Sequence, residues 1–212
     1  MALPASQLVQ QPGLVHIGDG FTGSGQTQGI NQYGQELENN EGRKPTYSAY
    51  VNTFTPQAAP QDFLTLTGSP LIVARLLAIE IYYAATAAAA FEIGLYYNLT
   101  PDTGGTSMTL AAVSHDPNDA AANCVVTAYT GAPTLGTRAG LIRAGRVVGG
   151  TTTGGGSGIL PLIWTWTTMN DKAYVLRTAN QQIALNGFGA ALPGGSVFEI
   201  GITWSEESLT GN

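Results

Sequence analysis

From about Tyr47 onward, apolar and polar residues alternate with a period of two over much of the chain. Phe91, Ile93, Leu95 and Tyr97 alternate with Glu92, Gly94, Tyr96 and Asn98. Phe198, Ile200, Ile202 and Trp204 alternate in the same way with Glu199, Gly201 and Thr203. Successive side chains of a strand point to opposite faces, so each run predicts a strand with one buried and one wet face. Weaker runs predict strands over 47–54, 63–67, 124–129, 141–148, 159–167, 173–178 and 182–185. Leu71–Tyr83 is apolar at both parities, the pattern of a central strand covered on each side. Asp116–Ala122 reads as a short helical segment, with Asp116 as its cap and Pro117 at its first position.

The punctuation between these runs is turn chemistry. Pro101-Asp102-Thr103-Gly104-Gly105, Asn186-Gly187 and Pro193-Gly194-Gly195 fix φ or permit positive φ. Many short strands with frequent turns predict an all-β fold, a β-sandwich and within that class a jelly roll. The run from Thr151 to Gly158 is low in complexity and predicts a long exposed connection between two strands.

Residues 1–45 read differently. Seven Gln and seven Gly are interleaved from Gln7 to Gln35, and neither strand nor helix periodicity runs through them. Such a segment cannot bury enough apolar surface to fold alone. It predicts an extended N-terminal arm (residues 1–45) ahead of a sandwich domain (residues 46–212). Leu14, Ile17, Phe21, Ile30, Tyr33 and Leu37 are isolated apolar groups in that polar arm. They are the candidate interface residues, because each needs a pocket on a partner.

Charge sharpens the picture. Only 10% of the 212 residues are charged, against roughly 25% in an ordinary domain. Interface cores are depleted of Lys, Glu and Asp, so this composition predicts a surface that largely faces other protein. A formal net charge of −6 with six scattered Arg argues against a nucleic-acid partner, which selects a basic face. Arg75 and Glu80 interrupt the longest apolar run, so no membrane span is expected. Met1-Ala2-Leu3-Pro4 opens without a basic or apolar leader, which predicts synthesis and retention in the cytoplasm or release as part of a particle. The lone Cys124 allows no intrachain disulfide and is expected to behave as a small buried hydrophobe.

The candidate chemistry is thin. Gly18-Asp19-Gly20-Phe21-Thr22-Gly23 spells a dinucleotide fingerprint but lacks the strand and helix that would aim it, and Gly154–Gly158 lacks the lysine of a phosphate loop. Ser114-His115-Asp116 holds the letters of a catalytic triad, yet adjacent residues on an extended chain point apart. Two His and one Cys are too few for a typical zinc site. Asp116, Asn118 and Asp119 fit a turn better than a calcium loop. Glu206-Glu207 reads as a solvated strand end, and Glu36 and Glu38 as charges on the arm. Trp164 and Trp166 share a strand face, either as core or as a platform for a sugar. Asn98-Leu99-Thr100 fits a glycosylation sequon and reads as a turn. No catalytic residue, cofactor or metal is expected.

From residue 54 to about residue 207 the chain resembles a family of virion structural proteins common in tailed bacteriophages. The resemblance is carried by Phe54-Thr55-Pro56, Asp62-Phe63, Leu66-Thr67-Gly68 and Arg75-Leu76-Leu77-Ala78-Ile79. It continues through Asn98 and Thr103-Gly104-Gly105-Thr106-Ser107, His115-Asp116-Pro117-Asn118-Asp119-Ala120-Ala121 and Pro133-Thr134-Leu135-Gly136, and closes with Phe198-Glu199-Ile200-Gly201-Ile202-Thr203-Trp204-Ser205-Glu206-Glu207. It implies a non-enzymatic capsid decoration (cement) or fibre-type β-sandwich protein, often trimeric. The expected location is the capsid surface, after synthesis in the bacterial host cytoplasm. The expected partners are the major capsid protein and further copies of this chain. The alternative is a tail or head fibre module that recognises a host surface glycan.

Overall fold

The computed structural model describes residues 14–17, 26–29, 44–57, 61–87, 89–151, 161–166, 173–187 and 192–209. Among them all regular structure is β. The strands are β1 (Leu14–Ile17), β2 (Gln26–Gly29), β3 (Thr46–Phe54), β4 (Asp62–Thr67), β5 (Ile72–Ala85), β6 (Ala89–Asn98) and β7 (Ser107–Leu110). They continue with β8 (Val113–Ser114), β9 (Val125–Tyr129), β10 (Arg138–Thr151), β11 (Leu162–Thr165), β12 (Tyr174–Leu176), β13 (Gln182–Gly187) and β14 (Val197–Ser208).

The chain divides into two units, Met1–Arg43 and Lys44–Asn212. In the first, β1 and β2 pair antiparallel, with Leu14 opposite Gly29 and Ile17 opposite Gln26. Period-two reading of the arm had no strand here, because Gln26–Gly29 carries no apolar residue to alternate.

The second unit is a β-sandwich of two antiparallel sheets. One runs β7-β9-β4-β13-β6-β10 and the other β8-β3-β14-β5. Three segments pair in succession along the far edge of β5: β12 at Ala74–Leu76, β11 at Ala78–Ile81 and the end of β10 at Ala84–Ala85. Strand β10 therefore belongs to both sheets, since its body pairs with β6. Between the sheets, Phe63 and Phe91 of one meet Tyr83 and Phe198 of the other. Phe198 lies at the centre, with ring centroids 4.9 Å from Tyr83, 5.5 Å from Phe63 and 6.1 Å from Phe91. A second aromatic pair, Tyr47 and Trp204, stacks at 5.8 Å.

Three bulges explain where simple alternation breaks. Opposite β14, Thr203 faces Ala78 but Trp204 faces Leu76, so Leu77 is an extra residue. Ile72, Ala74 and Leu76 point to the core before it, and Ile79, Ile81 and Tyr83 after it. The apolar run in β5 is thus largely a switch of parity rather than two covered faces: on its outer side Glu80 is exposed and Arg75, Leu77, Ala78 and Tyr82 are only half-buried. In β4, Phe63 is the extra residue between Leu64 opposite Leu185 and Asp62 opposite Asn186. Phe63 and Leu64 both enter the core as a result, and Asp62 turns to the outer face. The third bulge, in β3 between the partners of Phe198 and Ile200, contains Thr53 at φ 52°, a left-handed conformation rare for a β-branched residue.

The expected helix at Asp116–Ala122 is a turn. Asp116 caps it as anticipated: its Oδ1 accepts from Asn118 N at 2.9 Å and Asn118 Nδ2 at 3.0 Å, and its carbonyl accepts from Asp119 N. The chain leaves that turn to meet Glu206, which removes the length a helix needs.

Candidate functional site

The densest polar chemistry lies on the outer face of the β4-β13-β6 region, under two loops. The polar positions of these strands fall on one face because of the register: Gln182 pairs with both Thr67 and Asn98, and Asn186 with both Asp62 and Gly94. Two loops, 99–106 after β6 and 130–137 after β9, close over that face. Leu99 N donates to Thr137 O at 2.7 Å, Thr137 N to Thr100 Oγ1 at 2.7 Å, and Thr103 and Thr134 exchange two backbone bonds at 3.0 and 2.7 Å. The seam is tight: a Cβ on Gly136 would overlap the Thr100 carbonyl, and one on Gly105 (φ +74°) would lie 2.7 Å from Gly131 O.

Asp62, Asn98, Asp102, Gln182 and Asn186 are all buried beneath this cover. Asp62 Oδ1 accepts from Arg138 Nη2 at 2.6 Å and from Asn186 Nδ2 at 2.6 Å. The Arg138 guanidinium also lies 3.7 Å above the Tyr96 ring, which fixes the cation on its second side. Asn98 Nδ2 faces three acceptors, Asp102 Oδ1 at 3.2 Å, Gln182 Oε1 at 3.3 Å and Asp62 Oδ2 at 3.4 Å. Asp102 Oδ1 accepts from Gly136 N across the seam at 2.8 Å, and Asp102 N donates to Gln182 Oε1. Two buried oxygens, Asp102 Oδ2 and Asn98 Oδ1, have no hydrogen-bond partner. Burial pushes the Asp102 carboxyl up to about 7; the neighbouring Asp62 adds to the rise, and the Gly136 N–H and Arg138 oppose it.

A second buried carboxylate is Glu206, on β14. It accepts from Asn123 N, Asn123 Nδ2, Cys124 N and the Trp204 indole at 2.9–3.2 Å. It is buried among donors, a correction to its reading as a solvated end: Glu206 continues the inward parity of Ile202 and Trp204. Only Glu207 is exposed, and it pairs with Arg75 at 2.6 Å and Lys44 at 3.8 Å. Cys124 is buried in the core, and burial together with Glu206 pushes its thiol well above the ordinary range, so it stays protonated.

Ser114, His115 and Asp116 do not form a relay. Ser114 Oγ donates to Asp119 Oδ2 and accepts from Asp116 N, whereas His115 Nε2 lies 2.8 Å from Ser48 Oγ on β3. That Ser48–His115 pair has no sequence signal, since 67 residues separate its members. Ser48 Oγ is shared with Thr203 Oγ1 at 2.9 Å on a sheet surface. Nucleophilic catalysis also needs a group orienting the imidazole. Among the described residues the His115 ring bonds only Ser48.

Trp164 and Trp166 are both buried in the core, and Trp166 meets Tyr174 edge-on, so neither presents a platform to a sugar. Asn98 of the sequon is fully buried in the polar cluster. Among the described residues, no group of three or more His, Cys, Asp and Glu is placed to hold a metal ion. No described helix is long and apolar enough to cross a membrane. A shallow depression of about 270 Å³ is lined by Glu92, Ala144, Gly145 and Arg146. Of the interface candidates, Leu14 and Ile17 lie on β1, in the first unit. Phe21, Ile30, Tyr33 and Leu37 lie outside the described residues, as do Glu36, Glu38, the Gly18–Gly23 motif and the Gly154–Gly158 loop.

No family model, curated protein or solved structure matches this chain.

Proposed function

We propose that this chain is a virion structural protein, a capsid decoration or cement protein that binds the outer shell through residues 1–45. The observation that carries the reading is the hairpin of the first unit. Two strands of four residues each are too short to hold together alone in water, so β1 and β2 draw their stability from a surface they pair with or pack on. Leu14 and Ile17 on β1, with Phe21, Ile30, Tyr33 and Leu37, are the proposed anchors on that surface. The sandwich supports the same reading. Its described polar chemistry is spent on internal closure, and large apolar residues such as Tyr50, Leu71, Val113 and Ile163 are exposed on a chain with little charge to separate it from other proteins.

The proposed form of the sandwich is a jelly roll. Setting aside the short strands β7, β8 and β9, consecutive strands pass from one sheet to the other, except at the β6–β10 and β11–β12 pairs, giving β3-β14-β5-β11/β12 against β4-β13-β6-β10. That winding matches two interlocked Greek keys. Copies assemble with closed symmetry, a trimer being the favoured state, and each added copy buries surface across seams between coat subunits. Such a protein reinforces a shell against internal pressure without chemistry.

The test is deletion of residues 1–43. The shortened protein is expected to remain a folded sandwich and to lose binding to undecorated shells. Full occupancy by the shortened protein overturns the role given to the arm.

A further inference from the structure

We propose that Asp102 is held protonated beside the Asp62–Arg138 ion pair, and that this proton is a latch holding loops 99–106 and 130–137 shut over the outer face of the sheet. The geometry leads there in three steps. First, the two buried carboxylates face one shared donor, Asn98 Nδ2, at 3.4 Å from Asp62 Oδ2 and 3.2 Å from Asp102 Oδ1, and two like charges gathered so closely in a buried site favour protonation of one of them. Second, the charges do not balance without it. Arg138 from β10 is ion-paired to Asp62 from β4, and this leaves Asp102 without a cation of its own at 7% exposure. The remaining neighbours are neutral: Asn98 from β6, Gln182 and Asn186 from β13, the Gly136 N–H from the facing loop, and Tyr129 from β9, whose hydroxyl is itself raised by burial and by both carboxyls. Third, Asp102 Oδ1 is already occupied by Gly136 N and Asn98 Nδ2, whereas Oδ2 is buried and bare. A proton on Oδ2 converts a bare acceptor into a donor.

Asp102 is also the mechanical link. It sits on one loop and accepts from Gly136 on the other, at the point where their backbones nearly touch. When it ionises, a second negative charge faces Asp62 in a site with one guanidinium. The strain is relieved by parting the Leu99–Thr137 and Thr103–Thr134 bonds. Opening uncovers the polar face carrying Thr65, Thr67 and Gln182. The cover is thus closed in mild acid and loosened in mild base.

Hydrogen exchange on the full-length protein, at about pH 5.5 and about pH 8.5 and corrected for the intrinsic rate, tests this. The amides of Leu99, Thr103, Thr134, Gly136 and Thr137 are expected to lose roughly tenfold or more of their protection at the higher pH. Those of β5 and β14 should not change. In Asp102→Asn the loop amides should be equally protected at both values. Unchanged protection in the native protein, or an equal loss in Asp102→Asn, overturns the latch. Should that variant fail to fold, a carboxyl-carbon NMR titration of the native protein decides. A midpoint for Asp102 near neutrality upholds the latch, and one in the ordinary carboxylate range overturns it.

Discussion

The backbone N–H of Cys124 is held 2.9 Å from the carboxylate of Glu206, 82 residues away. The same carboxylate takes the Asn123 amide and the Trp204 indole, so one side chain pins the segment leading into β9 to the end of β14. Truncation to alanine orphans several buried donors at once, each costing roughly 1–3 kcal/mol. Glu206→Ala is therefore expected to lose about 3 kcal/mol or more in urea unfolding, and Glu206→Gln, which keeps one acceptor, distinctly less. Equal losses for the two, or a loss below about 1 kcal/mol for alanine, contradict the role given to this carboxylate.

Asp102 makes stability depend on pH in an unusual direction. Its carboxyl ionises near 7 in the folded chain and near 3.8 when unfolded. Between those values the unfolded chain releases a proton that the folded chain keeps, so stability falls as pH rises. This contribution is complete below the lower value and lost above the higher one, a change on the order of 4 kcal/mol. Asp102→Asn should flatten that part of the Tm profile and raise Tm above neutrality. A native profile that rises through the same window in step with the variant's contradicts the assignment.

Gly136 has no room for a side chain, because a Cβ there would overlap the Thr100 carbonyl. Gly136→Ala should force the two loops apart and cost about 1–3 kcal/mol. Gly140, where a Cβ meets nothing within 4 Å, is the matched control and should change little on substitution by alanine. Similar effects at the two positions would mean that the seam is not close-packed.

Phe198 touches aromatic rings from both sheets, and its truncation opens a cavity where the sheets meet. Phe198→Ala is expected to cost about 3–5 kcal/mol, against well under half of that for Tyr50→Ala on the exposed face. Comparable costs in thermal or urea unfolding would place the core elsewhere.

The two strands with clean alternation were readable because each keeps one parity facing the core: Phe198, Ile200, Ile202 and Trp204 in β14, and Phe91, Ile93 and Leu95 in β6. Glu206 obeys the same parity but carries a charge, and two of its four donors are backbone N–H groups, which leave no trace in residue type. The apolar run in β5 hides a bulge at Leu77, since an extra residue shows only once the register with β14 is known. Strands β7 and β8 are short edges with little to bury, so periodicity missed them. The carboxyl and amide cluster gathers residues from Asp62 to Asn186, and only the strand order brings them together. Its one sequence signal is the polar series Asp62, Thr65 and Thr67 within an otherwise apolar strand.

The proposed role of this chain as a capsid cover is tested most directly by a count. Quantitative mass spectrometry of purified particles should find a copy number comparable to that of the coat protein. A small fraction of the coat number would place the chain at a tail or vertex and favour a fibre module. Absence from particles would contradict the account altogether.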